Sequence, residues 1–338
     1  MLDEPDHVDG CCRVVAVAGN YRVDTGLVLV ELRSVPDCPN LDRVRSALRR
    51  ALTDLGLAPV VIERVGDFPS PSVLVDGVDV LGGGGGSAAC RLDLPTAEDI
   101  TAALRRATEP PGPAARSVTA ANCCAEPGDV IRADRPERAA RLDPGLRQVH
   151  QAILRHFART GAAPQLGDIA SAAARAGVEL LDALRQLAAD DLIAVDDADR
   201  LIAAYPFSPT PTAHTVSLGE VTVFAMCAID ALGIPFMLHT DGTVTSTDPQ
   251  TGQPVRVVAR GGLFAFEPSE AVVVYAASAP TGRSVDSCCS TINFFASPAS
   301  ARTWLADRSQ LAANLLVPGQ AVQLARDIFE PLLKLSAH

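Results

Sequence analysis

A thiol and a carboxylate lie three residues apart in the apolar stretch 224–232, as Cys227 and Asp230. The apolar character of the stretch predicts a helix over about 222–232 that ends at Gly233, and this spacing would put both side chains on one face. An acid buried beside a thiol is costly without a task, and proton transfer is such a task. A small core cysteine beside an incidental acid is the alternative.

A second segment contains two adjacent cysteines, Cys288 and Cys289, and leads into a predicted strand at 292–295. Adjacent cysteines alone are weak support for a site, because they also occur as ordinary packing residues. Thiolate sulfur is, however, the ligand that soft metal ions prefer. We therefore predict that the two cysteine segments converge on one soft-metal centre.

Composition limits the classes of protein to which the chain can belong. A length of 338 residues predicts two or three domains, and 48% hydrophobic content is enough for their cores. The apolar runs are too short for a membrane span, and the acidic start of the chain is unlike a signal peptide, so a cytoplasmic protein is expected. In that compartment the nine cysteines are expected to be thiols. A net charge of −11 argues against nucleic acid as a partner.

The N-terminal part is predicted to be a leader segment, 1–25, followed by an α/β domain, 26–108. Its order of strand, helix, three strands and helix is similar to the thioredoxin fold. Cys38 would begin the first helix, and Pro71 would hold that fold's cis-proline position. The second thiol of the usual Cys-x-x-Cys pair is replaced by Leu41, so ordinary dithiol exchange is not expected. A metal-passing or redox thiol and a degenerate interaction module remain open.

The next two regions differ in composition and in predicted secondary structure. Residues 109–143 have linker composition and contain Cys123 and Cys124. Residues 144–204 predict three helices and a hairpin, similar to a winged-helix module. DNA binding is disfavoured, since the stretch 144–208 holds six arginines against eight acidic residues, so a structural or lid role is expected.

The last region, 205–338, is predicted to contain a small antiparallel sheet and two late helices. The predicted strands are 243–247, 255–259 and 271–276, and the predicted helices are 299–305 and 318–335. The fold class expected for the whole chain is α+β multidomain: a thioredoxin-like α/β domain, a winged-helix-like helical module and a small mixed-sheet domain that carries the cysteine segments.

Two motifs in this last region resemble the organomercurial lyase (alkylmercury lyase) family. The first is Phe-Ala-Met-Cys-Ala-Ile-Asp-Ala-Leu at 224–232, followed by Pro235. The second is Cys289, five positions before Phe-Phe-Ala-Ser at 294–297. The resemblance covers about 145–338 and includes the winged-helix-like part, which that family shares.

The resemblance implies that Cys227 and Cys289 bind mercury and that Asp230, which lies with them at the metal site, donates a proton to the carbon. The implied reaction is protonolytic cleavage of a carbon–mercury bond. No cofactor would be required, Hg(II) would be the bound product, and external thiols would release it. A mercuric reductase or low-molecular-weight thiols would be the receiving partners. A chaperone or sensor that holds Hg or Cu without cleavage is the alternative.

Two departures and several further thiols accompany the resemblance. A cysteine found in some members falls here at Asp248, which puts folding or metal handling in doubt, and an aromatic residue often found before the first cysteine is Met226. The possible accessory thiols, which would draw mercury from the site and pass it on, are Cys288, Cys38, Cys11, Cys12, Cys123 and Cys124.

Overall fold

A computed structural model describes residues 28–57, 61–82, 89–108, 135–277, 284, 289–308 and 310–334. The predicted leader and most of the predicted linker therefore lie outside the described residues. So do five of the cysteines named above: Cys11, Cys12, Cys123, Cys124 and Cys288.

The described strands, in chain order, are β1 Val30–Ser34, β2 Val61–Val65, β3 Pro69–Ser70, β4 Ser72–Val75, β5 Val78–Asp79, β6 Ala89–Cys90, β7 Ile193–Val195, β8 Leu201–Ala204, β9 Phe207–Ser208, β10 Thr215–Leu218, β11 Val221–Ala225, β12 Gly242–Thr247, β13 Pro254–Arg260, β14 Leu263–Glu267, β15 Val272–Ala277, β16 Asn293–Phe295 and β17 Ala312–Leu316. The described helices are α1 Leu41–Asp54, α2 Ala97–Thr108, α3 Arg135–Arg141, α4 Pro144–Thr160, α5 Leu166–Ala176, α6 Leu180–Ala189, α7 Ala228–Leu238, α8 Pro298–Ala306 and α9 Pro318–Phe329, followed by the 3-10 helix Glu330–Leu333.

The N-terminal region follows its predicted order closely. β1 lies between β2, to which it runs parallel, and β4, to which it runs antiparallel. One face of α1 is buried through Val44, Leu48 and Ala51, at the spacing of an amphipathic helix. The peptide bond between Ser70 and Pro71 is cis, as the sequence predicted. The short paired strands β3 and β6 were not predicted.

Most described strands of the N- and C-terminal regions belong, with the hairpin of β7 and β8, to one twelve-stranded sheet. Its order is β5-β4-β1-β2-β14-β13-β12-β10-β11-β9-β8-β7, and β2 pairs in parallel with β14. The expectation of a separate small sheet at the C-terminus is therefore wrong, and β15 belongs instead to a three-stranded sheet with β16 and β17. The joining strand β14, which pairs Leu263 with Val61, was absent from the sequence prediction.

The middle region contains the three predicted helices, α4 to α6, and the predicted hairpin of β7 and β8. The linker prediction is wrong for its last part, because α3 is a helix. Its sequence lacks the apolar repeat of an amphipathic helix, and tertiary packing stabilises it instead. Arg135 is 2% exposed, and Ala139 is also buried. α3 thereby brings a charged side chain into the interior of the protein.

The segment around Cys227 is not the single helix predicted over 222–232. Val221–Ala225 is a strand paired with β10 and β9, and the helix begins only after Cys227. β-branched residues at the start of the segment favour the extended conformation. The helix also continues past the predicted break at Gly233, to Leu238.

Gly233 allows α7 to pack closely on α9. A Cβ atom at this position would lie 2.6 Å from Cγ and 2.9 Å from Cβ of Phe329. We expect Gly233→Ala to cost about 1–3 kcal/mol through overpacking. Denaturant unfolding measures this cost, and Gly167→Ala is the matched control, because the space around that helical glycine is open. An equal effect of the two substitutions would contradict the packing argument.

Candidate active site

Cys227 lies where strand β11 gives way to helix α7. It is the N-cap residue, with extended backbone angles of φ −153 and ψ 179, and its sulfur accepts a hydrogen bond from the Asp230 N–H at 3.5 Å. The Ala228 N–H donates to the carbonyl of Ile292 at 3.1 Å, which ties this turn to the second cysteine segment. Cys227 is buried, with 2% of its surface exposed.

Asp230 is in the first turn of α7 and is also buried. Burial raises the pKa of its carboxyl to about 6, while the positive charge of Arg135 and a hydrogen bond with the Cys227 side chain hold the pKa down. A carboxyl with a pKa near neutrality can both accept and return a proton. Asp230 therefore has the properties of a proton shuttle beside a thiol.

Cys289 is buried and comes from the segment before β16. Its N–H donates to the carbonyl of Ser284 at 3.1 Å. It lines the same pocket as Cys227 and Asp230, so the structure brings together the three residues singled out from the sequence. The remaining residues that line this pocket are Arg135, Ile229, Ser284, Ile292, Ile328 and Phe329.

Three polar residues at or near the pocket were missed by sequence analysis. The guanidinium of Arg135 donates to the Ser284 hydroxyl at 3.2 Å, and Ser284 donates in turn to the carboxylate of Asp191. Burial opposes the charged form of Arg135, but the neighbouring charges of Asp230, Tyr205, Asp191 and Cys289 raise its pKa above the ordinary value. These residues come from separate parts of the chain, and no motif spacing connects them.

A buried imidazole lies near this guanidinium. His150 is 1% exposed, and neither of its ring nitrogens has a hydrogen-bond partner. Burial, together with the charge of Arg135, lowers the pKa of His150 to about 4. The ring is therefore neutral at physiological pH, and Arg135 is the pocket's positive charge among the lining residues described.

Comparison with known proteins bears on the segment that carries the two cysteines. Residues 207–330 match the model of the alkylmercury lyase (MerB) family. The segment that carries both cysteines is therefore similar to the alkylmercury lyase family.

Relatives with the alkylmercury lyase name match at modest identity. The protein of Streptomyces lividans is 32% identical over 124 residues, which are 36% of this chain and 57% of the relative. That of Staphylococcus epidermidis is 26% identical over 162 residues, which are 48% of this chain and 72% of the relative. The chain thus spans little more than half the length of the Streptomyces lividans alkylmercury lyase.

A solved structure, the mercury-bound form of MerB2, matches 59% of this chain and 98% of its own, with a TM-score of 0.48 and 24% identity. Within the part of the chain described, no helix is long and apolar enough to cross a membrane.

Two described cysteines, Cys38 and Cys90, lie outside residues 207–330. Cys38 is buried in the N-terminal region and Cys90 is exposed, and neither lines the pocket. The described residues contain no group of three or more His, Cys, Asp or Glu side chains that could hold a metal ion. The predicted binding of mercury by Cys227 and Cys289, and the predicted place of Asp230 at that site, stay predictions.

Asp248, where some alkylmercury lyases have a cysteine, is a buried structural acid. One carboxylate oxygen accepts from the N–H groups of Gln250 and Thr251, at 2.8 and 3.1 Å. The other accepts from the Ala296 N–H at 2.9 Å and from the Ser300 hydroxyl at 2.7 Å. The carboxylate thus joins the turn after β12 to the start of α8.

We expect Asp248→Ala to destabilise the protein by about 3 kcal/mol or more, because four donors lose their charged acceptor. Burial opposes the ionised form, but the hydrogen bonds dominate and lower the pKa of Asp248. Its contribution is therefore present above the unfolded pKa and lost as the pH falls through the folded one. Urea unfolding at pH 7, and again well below the ordinary pKa of 3.8 where the contribution is lost, measures both effects. Asp241→Ala, which removes one exposed acceptor for Gly261, should cost far less.

Proposed function

We propose that this protein cleaves the carbon–mercury bond of organomercurials by protonolysis. The observation that carries the proposal is the meeting of Cys227, Asp230 and Cys289 at one buried pocket, in a segment that matches the alkylmercury lyase family model. In this proposal the two cysteines bind mercury and Asp230 supplies the proton.

Mercury is a soft ion, and thiolate sulfur binds it better than oxygen or nitrogen ligands do. When two thiolates bind R–Hg⁺, their electron donation weakens and polarises the carbon–mercury bond. The carbon then has carbanion character and requires a proton. Asp230 is suited to deliver this proton. Its pKa of about 6 lets the carboxylate take a proton from a cysteine thiol that binds mercury and then pass that proton to the carbon.

The proton balance of the proposed reaction closes without a cofactor. The organomercurial arrives on an external thiolate, and the thiols of Cys227 and Cys289 lose two protons. One proton passes through Asp230 to the carbon as the carbon–mercury bond breaks, which gives the hydrocarbon. The other leaves with the external thiol, and Hg(II) remains on two cysteine thiolates. Free thiols or a mercuric reductase would then receive the metal.

This mechanism predicts a specific dependence on pH. Burial raises the pKa of Asp230 to about 6. Because Asp230 must be ionised to accept the first proton, kcat/KM should fall about tenfold per pH unit below pH 6. The measurement is kcat/KM for phenylmercury between pH 4.5 and 8, at a fixed concentration of free thiolate. A profile that is flat through pH 6 would contradict the assignment of Asp230 as the base.

Headspace gas analysis of purified protein mixed with phenylmercury and free thiol tests the proposed activity. Release of benzene over many turnovers is the expected result. Cys38→Ser is a matched control, because it removes a buried thiol that does not line the pocket, and it should retain activity. Stoichiometric mercury binding without benzene would replace the proposal with a soft-metal chaperone or sensor.

A further inference from the structure

We propose that Arg135 and Asp191, which lie outside the segment 207–330, form with Ser284 a buried clamp that positions Cys289 for its bond to mercury. This inference rests on the proposed function only for the identity of the bound metal. The clamp itself is a feature of the described side chains.

The first link of the clamp joins Cys289 to Ser284. The N–H of Cys289 donates to the carbonyl of Ser284 at 3.1 Å. Ser284 is 2% exposed and lines the pocket beside Cys289. The backbone position of Ser284 therefore constrains the backbone of Cys289, from which the thiol extends.

The second link joins Ser284 to Asp191. The Ser284 N–H donates to one carboxylate oxygen at 3.1 Å, and its hydroxyl donates to the other at 2.6 Å. Asp191 follows the C-cap residue of α6, in the left-handed region with a φ of 53, and its own N–H donates to the carbonyl of Ala188 at 3.0 Å. Two hydrogen bonds from one residue to a carboxylate held in this turn define the orientation as well as the position of Ser284.

The third link is the guanidinium of Arg135. It donates to the Ser284 hydroxyl at 3.2 Å and lies 3.9 Å from the Asp191 carboxylate. It also stacks on the ring of Tyr205, at 4.2 Å from the ring centroid. A buried guanidinium is costly unless it is paired, so the aromatic face and the acid together hold it against Ser284.

The place of the clamp favours a role in positioning over one in general stability. Arg135 and Ser284 both line the pocket with Cys227, Asp230 and Cys289. The Cys227 thiol has its own anchor, the N–H of Asp230. Loss of the clamp should therefore displace Cys289 and leave Cys227 in place.

The test compares the rates at which iodoacetamide modifies Cys289, Cys227 and Cys38, measured by peptide mass spectrometry on the full chain without mercury. The variants are Arg135→Met, Arg135→Lys and Ser284→Ala. Arg141→Met is the matched control, because Arg141 is an exposed residue of the same helix. Methionine keeps the apolar stem and removes the donor, while lysine keeps a charged donor. Ser284→Ala removes only a hydroxyl and keeps the carbonyl that Cys289 uses.

We expect Arg135→Met and Ser284→Ala to accelerate modification of Cys289 by about tenfold, through local opening of its segment. The rates at Cys227 and Cys38 should stay unchanged, and Arg135→Lys should restore most of the protection. Turnover of phenylmercury should show kcat reduced by about a hundredfold, the scale of a 1 Å misplacement, with little change in KM.

An unchanged Cys289 rate in Ser284→Ala would overturn the clamp. Equal acceleration at Cys38 in Arg135→Met would overturn the positioning role of Arg135 in favour of a general structural one. The labelling result does not depend on catalysis. A protein that releases no hydrocarbon, yet shows selective exposure of Cys289, would retain the clamp and lose the proposed function.

Discussion

Asp230→Asn is expected to slow hydrocarbon release strongly and, at pH 8, to make the protein more stable. The proton-transfer role predicts a loss of about 10²–10⁴ in kcat, because asparagine can neither accept nor return the proton. The gain in stability has a separate cause. Burial raises the pKa of Asp230 from 3.8 to about 6, so the folded state binds a proton more tightly than the unfolded chain does.

The sign of this effect follows from the proton balance of folding. A group with a raised folded pKa contributes stability below its unfolded pKa and loses that contribution as the pH rises through the folded pKa. At pH 8 the wild-type protein therefore carries a buried carboxylate at a cost of about 3 kcal/mol. Asparagine, which is neutral at every pH, should recover most of that cost.

Urea unfolding at pH 8 and at pH 4, together with benzene release, measures both halves of the prediction. The stability advantage of Asp230→Asn should be largest at pH 8 and nearly vanish at pH 4. Asp182→Asn, at an exposed acid, is the control and should change neither quantity appreciably. A variant that is inactive and less stable at pH 8 would contradict the account of a carboxylate buried for function.

Replacing either pocket cysteine by serine is expected to remove turnover. A hydroxyl is a poor ligand for a soft ion, so Cys227→Ser and Cys289→Ser should each reduce benzene release by about a thousandfold or more. The double variant should lose little beyond either single one, because the two thiols act as a unit.

The two single variants should bind mercury differently from the wild type. Each should hold Hg(II) through one pocket sulfur and release it to modest concentrations of free thiol, whereas the wild type retains it on two. Equilibrium dialysis against glutathione measures this retention. Cys90→Ser, at an exposed thiol of the N-terminal region, is the control for non-specific binding. Near-normal benzene release by either pocket variant would contradict the two-thiol mechanism.

Much of the architecture was predictable where local pattern agrees with tertiary structure. The first helix of the N-terminal region was predicted, and the helical spacing of the residues that α1 buries, Val44, Leu48 and Ala51, explains why. The three helices and hairpin of the middle region follow in the same way. Their resemblance to a winged-helix module, like the thioredoxin-like order of the N-terminal strands, stays a prediction.

The switch from strand to helix at Cys227 was not predictable from apolar content. The stretch is uniformly hydrophobic, so periodicity does not separate a buried strand from a buried helix. The pairing of β11 with β10 decides the first half, and capping by Cys227 decides the second. The prediction that Cys227 and Asp230 are close survives, since an N-cap residue and the residue three positions on also meet.

The clamp residues could not be found from the sequence, because only tertiary contacts bring them together. Arg135 lies in a stretch rich in proline and arginine, and Asp191 follows another aspartate at the end of a helix. Neither position stands out from ordinary surface residues. Only the fold shows that both side chains are buried against Ser284.

The central claim, that Asp230 and the two cysteines deliver a solvent-derived proton to carbon, is tested most directly by turnover of phenylmercury in deuterium oxide. Mass spectrometry of the headspace should find benzene with one deuterium per molecule, in amounts equal to the Hg(II) recovered on the protein or on added thiol. Mercury bound without benzene, or benzene without deuterium, would contradict the account.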